Sequence, residues 1–218
     1  MDFDCFIFDF DGTLARSQPA YSAAFSHSVR LHTGLEVSEE EFLDYWNVSP
    51  QEVLSRYGSG SLDVMMASFE EHYYANHHHH LSAYEGIIEL LELINGVGGA
   101  VAVVSLKPRR AGELELDLIR LRELIHFSVW GDDVDRPKPE PDGALLALSR
   151  LSAQPSRTLV IGDSPADIRM GRAAGTRTAA ALWSDFSSER LLVESPDFAF
   201  TSPGQLQEFI SNNLQDLM

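Results

Sequence analysis

An apolar run beginning at Cys5 ends in IFDFDGTL, residues 7–14, which sets Asp9 and Asp11 two positions apart and then turns on Gly12. Like charges at the end of a buried strand need compensation. Further along come Ser105 in VVSLK, Lys138 in RPKPEPDG, and Asp163 and Asp167 in IGDSPADI. Gathered at one point, these four carboxylates stay ionised together only around a cation. Oxygen donors without His or Cys favour Mg²⁺ over zinc. A metal held by few carboxylates keeps positions open for water and a substrate phosphate.

Such a set can transfer a phosphoryl group. Asp9 is the expected nucleophile, forming an aspartyl phosphate that water later cleaves. Asp11 is expected to protonate the leaving oxygen and then to deprotonate the attacking water. Ser105 and Lys138 would hold phosphate oxygens, with Lys138 also offsetting the acids. Asp163 is expected to bind the metal, with Asp167 a further ligand or just outside the coordination sphere.

Groups this far apart in sequence meet only if the fold collects them. Strand candidates are residues 5–10, 100–106, 127–131, 158–163, 177–183 and 197–200, most of them uninterrupted apolar runs suited to parallel strands buried on both faces. Helical patterns lie between them at 85–95, 109–125, 141–152, 165–174, 187–194 and 203–214. The alternation predicts an α/β class: a doubly wound, mainly parallel, Rossmann-like sheet that binds ligands at the carboxyl ends of its strands. About 90 residues separate the first two strands, too many for one crossover helix. Residues 16–82 read as an all-helical insert, with helix starts at Ser38 (Glu41 at N3), Ser49 (Pro50, Glu52) and Ser61. The predicted domains are a catalytic core of 1–15 with 83–218 and a helical cap of 16–82.

D-F-D-G-T-L, a serine closing the second strand, K-P-E-P and G-D-S-x-x-D, in that order, resemble the haloacid dehalogenase-like hydrolase superfamily over the whole chain. A helical cap between the first and second motifs is similar to the subfamily of phosphoglycolate phosphatases, pyrophosphatases and β-phosphoglucomutase. The resemblance implies Asp9 as nucleophile, and Asp9, the backbone carbonyl of Asp11, and Asp163 as Mg²⁺ ligands. Two departures stand out. Arg16-Ser17 replaces the Asp-Ser that often follows the first motif, and Leu106 replaces the Asn common after the second-strand serine. Both bear on substrate choice rather than on competence.

The chain has 218 residues and a formal net charge of −17, which opposes binding to nucleic acid. No apolar run reaches the ~20 residues of a membrane span, the N-terminus lacks a signal-peptide pattern, and Cys5 is the single cysteine. A cytoplasmic monomer or homodimer acting on a small phosphorylated metabolite is expected. Lys107 and Lys138 are the two lysines among 16 basic residues; Lys138 is expected in the site and Lys107 on an exposed loop. The run His77–His80 is expected to be a solvated hinge, since four consecutive histidines cannot all face one ion. Arg16, Tyr45, Trp46, Asn47 and Arg56 are read as packing or surface residues of the insert. A receiver domain, a true dehalogenase and a P-loop protein fit the motifs poorly. A phosphomutase of the same fold and a catalytically silent phosphate-binding module are the alternatives to a phosphatase.

Overall fold

The computed structural model describes residues 3–38, 41–42, 48–57, 61–184 and 188–215. Its strands are β1 (Cys5–Phe8), β2 (Ala15–Arg16), β3 (Ser82–Ala83), β4 (Ala100–Val104), β5 (Phe127–Val129), β6 (Thr158–Gly162), β7 (Arg177–Ala181) and β8 (Phe198–Phe200). Six of them form one sheet in the order β5-β4-β1-β6-β7-β8, every pairing parallel, while β2 and β3 pair separately. From β1 the chain steps out to β4 and β5, then crosses to the far side of β1 for β6. That reversal opens a crevice at the carboxyl end of β1.

The strand sequences account for this arrangement. CFIF is buried at all four positions, and TLVIG at all five. Side chains alternate across a strand, so Cys5 and Ile7 join Ala102, Val104 and Val160 in one core with Ala144, Ala147 and Leu148. Phe6 and Phe8 are buried on the opposite face. The Asp142–Leu151 helix packs on β4 and β5, the Pro165–Ala173 helix on β6 and β7, and the Ile87–Gly96 helix on β4 and the Pro203–Gln215 helix. The predicted doubly wound α/β class is therefore the observed one.

Chain packing yields two compact units, Met1–Arg16 with Ala83–Met218 and Ser17–Ser82. The second is built from the Gln18–Thr33, Pro50–Tyr57 and Leu62–Asn76 helices. Phe25, Val29, Leu54, Met65 and Phe69 fill its core, and buried Ser28 Oγ donates to the Met65 carbonyl at 2.8 Å. Ser38 and Ser49 cap as expected: the Glu41 and Glu52 N–H groups donate to their hydroxyls at 3.1 and 3.2 Å. Tyr45, Trp46 and Asn47 lie outside the described residues.

Two expectations are corrected. The helix predicted over 109–125 stops at Leu118. Arg120 adopts φ +61°, and the Leu121 N–H reaches back to the Leu116 carbonyl at 2.9 Å, sending fully buried Leu121 into the core. This is a left-handed helix closure made without the usual glycine. The histidine run is not uniformly solvated. His78–His80 are exposed, but His77 is buried, stacked on Tyr73 with centroids 5.3 Å apart and its Nδ1 3.0 Å from the Tyr73 carbonyl. Among the described residues no helix is long and apolar enough to cross a membrane.

Cys5 is fully buried, and that burial pushes its thiol up to about 11 despite the Thr158 hydrogen bond. Because the thiolate is the reactive form, neutral-pH alkylation of the native chain should run about a hundredfold slower than of a urea-unfolded sample. Mass-spectrometric labelling kinetics check this; equal rates would contradict the buried placement.

Candidate active site

The register of β1 brings the predicted residues together. Phe8 aligns with Val103 of β4 and Ile161 of β6, and the Asp9 N–H donates to the Ile161 carbonyl at 2.9 Å. Asp9, Ser105 and Asp163 therefore leave three adjacent strand ends side by side. Lys138, from the loop after β5, sends Nζ between Asp9 Oδ1 and Asp167 Oδ1, 2.6 Å from each. All five side chains are buried. Oxygens of Asp9, Asp163 and Asp167 lie within 4.8 Å of one another. Ser105 Oγ accepts from the Lys107 N–H at 3.2 Å.

Close approach depends on two glycines. Gly12 has φ +78°, and a Cβ there would sit 2.1 Å from Asp163 Oδ2; a Cβ on Gly162 would sit 2.3 Å from Asp167 Cβ. Larger residues would push the carboxylates apart. Asp163 Oδ2 accepts from Ser184 Oγ at 3.0 Å. Asp167 Oδ2 accepts from the Ser164 N–H and Oγ at 3.1 and 2.6 Å, tying down the start of the Pro165–Ala173 helix. With Oδ1 on Lys138, both oxygens of Asp167 are engaged.

One ammonium faces three buried acids. Burial, then the Asp167 charge, push Asp9 up to about 7 against the pull of Lys138. Burial, then the Asp9 and Asp167 charges, hold Asp163 well above the usual carboxylate range. Burial alone would lower Lys138, but the charges of Asp167 and Asp9 outweigh it and raise it. Asp163 Oδ1 is buried with no hydrogen-bond partner. An oxygen-only donor set, short of positive charge and with an orphaned carboxylate oxygen, fits a hard divalent cation.

The expectation for Lys107 is overturned. Its side chain is fully buried, with Nζ 2.6 Å from Glu115 Oε2 and 3.0 Å from Asp11 Oδ1. It also stands 5.4 Å from the Phe10 ring centroid, and Trp130 packs edge-to-face on that ring at 5.7 Å. The Trp130 indole donates to Glu113 Oε1 at 2.6 Å. Asp11, with 21% of its side chain exposed, is thus held by a lysine that is itself anchored in the core. Sequence reading missed Lys107, Glu115 and Ser184. The scarcity of lysine was the available signal, since a chain with two lysines has placed both against acids of this cluster. Leu106 is exposed. Arg56 is exposed and pairs with Glu52 at 2.9 Å.

Residues 6–181 match the haloacid dehalogenase-like hydrolase family. The chain belongs to that family. Among its relatives is a pyrophosphatase PpaX of Bacillus cereus, 29% identical over 206 residues that cover 94% of this chain and 95% of the relative. A pyrophosphatase PpaX of Bacillus thuringiensis is 28% identical, covering 97% and 98%. In structure the chain is similar to a predicted phosphoglycolate phosphatase from Haemophilus somnus, with a TM-score of 0.87 at 20% identity, covering 96% of this chain and 99% of that one. CbbY from Rhodobacter sphaeroides, in complex with phosphate, gives a TM-score of 0.77 at 21% identity, covering 94% and 96%. These likenesses show the family's fold over nearly the full chain.

Replacing Lys107 by Met removes the ammonium facing Asp11 and Glu115. Breaking one side of a buried ion pair costs about 3–5 kcal/mol, so Lys107→Met should lower unfolding stability in urea by that order. Lys107→Met combined with Glu115→Leu should recover part of it. A single-variant loss below about 1 kcal/mol would show that the ion pair carries little stability.

Proposed function

We propose that the chain is a Mg²⁺-dependent phosphohydrolase that cleaves a small phosphorylated metabolite through an aspartyl phosphate on Asp9. The observation that carries this reading is the buried Asp9 carboxylate at a strand end, clamped through Oδ1 by Lys138 and within 4.8 Å of an oxygen of Asp163, whose Oδ1 has no hydrogen-bond partner. Residues 1–15 and 83–218 form the catalytic core, with 16–82 as its cap, and the cytoplasm is the proposed compartment. Pyrophosphate heads the substrates, supported by the names of the PpaX relatives; phosphoglycolate and sugar phosphates follow.

With Oδ1 held on Lys138, Asp9 has Oδ2 to attack phosphorus in line with the departing oxygen. Asp11, oriented by Lys107, gives its proton to that oxygen and then takes one from the water that cleaves the acyl phosphate. Lys138 offsets charge on the phosphoryl oxygens and Ser105 donates to one of them. Asp9, the Asp11 carbonyl and Asp163 would hold Mg²⁺, which neutralises charge on the transferred group. Asp167 keeps Lys138 in place from just outside.

The test is phosphate release from pyrophosphate and a panel of phosphate monoesters, with Mg²⁺ or EDTA. EDTA should abolish release, and Asp9→Asn should lower kcat by about 10³-fold or more. Asp163→Ala should raise the Mg²⁺ concentration needed for half-maximal rate by at least about tenfold. Substantial turnover by Asp9→Asn would sink the covalent route. Transfer of phosphate between two positions of a sugar, without release, would mark a mutase instead.

A further inference from the structure

Within the Ser17–Ser82 unit, the Gln18–Thr33 and Leu62–Asn76 helices border an open cavity of about 330 Å³. Ser26, His27, Arg30, His72, Asn76 and His80 line it, and Glu36 contributes its single acid. The His27 and His72 rings stack with centroids 4.3 Å apart and planes 27° apart. His72 Nδ1 is buried with no hydrogen-bond partner. The Asn76 amide donates to the His72 carbonyl at 2.9 Å, fixing the end of its helix. Arg30, one turn beyond His27, makes no ion pair among the described residues. In a chain of net charge −17, one permanent cation and three imidazoles therefore line one cavity with a single exposed carboxylate.

We propose that this cavity binds a small phosphate-type dianion, at a site that belongs to the Ser17–Ser82 unit alone and goes beyond the proposed hydrolysis. Arg30 would supply charge-assisted donors, and the imidazole N–H groups and Ser26 further ones. Glu36 would accept from a phosphate oxygen that carries a proton. Burial, then the charges of His27, His80 and Arg30, hold the His72 imidazole below its ordinary value. A bound dianion reverses the charge part of that effect, so binding takes up protons and strengthens as pH falls. A transition metal suits the cavity poorly. Arg30 would repel it, and the one group of three or more converging His, Cys or acidic ligand atoms among the described residues is the Asp9 cluster.

The experiment is NMR of the histidine C2–H resonances in the full-length chain, titrated with inorganic phosphate in EDTA at constant ionic strength. His27, His72 and His80 are assigned by single His→Gln variants. The expected result is saturable shifts of His27 and His72 with a raised His72 titration midpoint. Arg30→Gln, at an exposed position, should weaken the apparent affinity about tenfold, as loss of a charge-assisted hydrogen bond does. A phosphate monoester that saturates the same shifts at lower concentration would assign the site to an organic phosphate; phosphate acting alone would assign it to the free ion. Shifts that never saturate, or that persist unchanged in Arg30→Gln, overturn the proposal. Asp9→Asn should leave these shifts intact, so failure of the hydrolase reading and failure of this one are separable.

Discussion

The rest of the α/β unit depends on one buried ammonium. Lys138 Nζ sits 2.6 Å from both Asp9 and Asp167, and so offsets two buried carboxylates at once. Burying a charge is tolerable only with a partner and hydrogen bonds, and here the partners come from β1, from the loop after β5 and from the helix after β6. A parallel sheet with a strand-order reversal is the simplest scaffold that brings three such distant segments to one point. Three acids share one lysine, and the missing positive charge is what a divalent cation would supply.

Around this centre lies a second layer of charge. Lys107 repeats the arrangement of Lys138 one strand over, with Asp11 and Glu115 as its acids. The two clusters keep apart the two carboxylates of the first motif, although only Phe10 separates them in sequence. Phe10 itself is buried, with Trp130 on one edge and Lys107 near its ring. Like charges two residues apart therefore face different partners, Asp9 on Lys138 and Asp11 on Lys107.

Much of this was legible in the sequence because parallel strands buried on both faces are written as plain apolar runs. The carboxyl ends of 5–10, 100–106 and 158–163 carried the acids and the serine, so strand prediction and site prediction were one inference. What stayed hidden depended on three-dimensional burial rather than on local pattern. Lys107 follows an exposed leucine and precedes a proline, so nothing nearby announces that its chain runs inward to Glu115, eight residues on. The end of the Arg109–Leu118 helix was missed because Arg120 takes a glycine-like conformation, compensated by the burial of Leu121. His77 was read with its neighbours because periodicity over four identical residues has no phase; stacking on Tyr73 singles it out.

The placement of the lysines has a consequence for the surface. Both lysine side chains are buried against carboxylates, so the exterior presents arginine as its permanent cation and no lysine amine. Acylation, carbamylation and amine-directed cross-linking, which ordinarily titrate a protein's outer shell, have no lysine there to attack. A lysine adduct on this chain would report exposure of these buried lysine–carboxylate pairs. The same chemistry that is a blunt surface probe for most proteins becomes, for this one, a gauge of whether its buried charge clusters are intact.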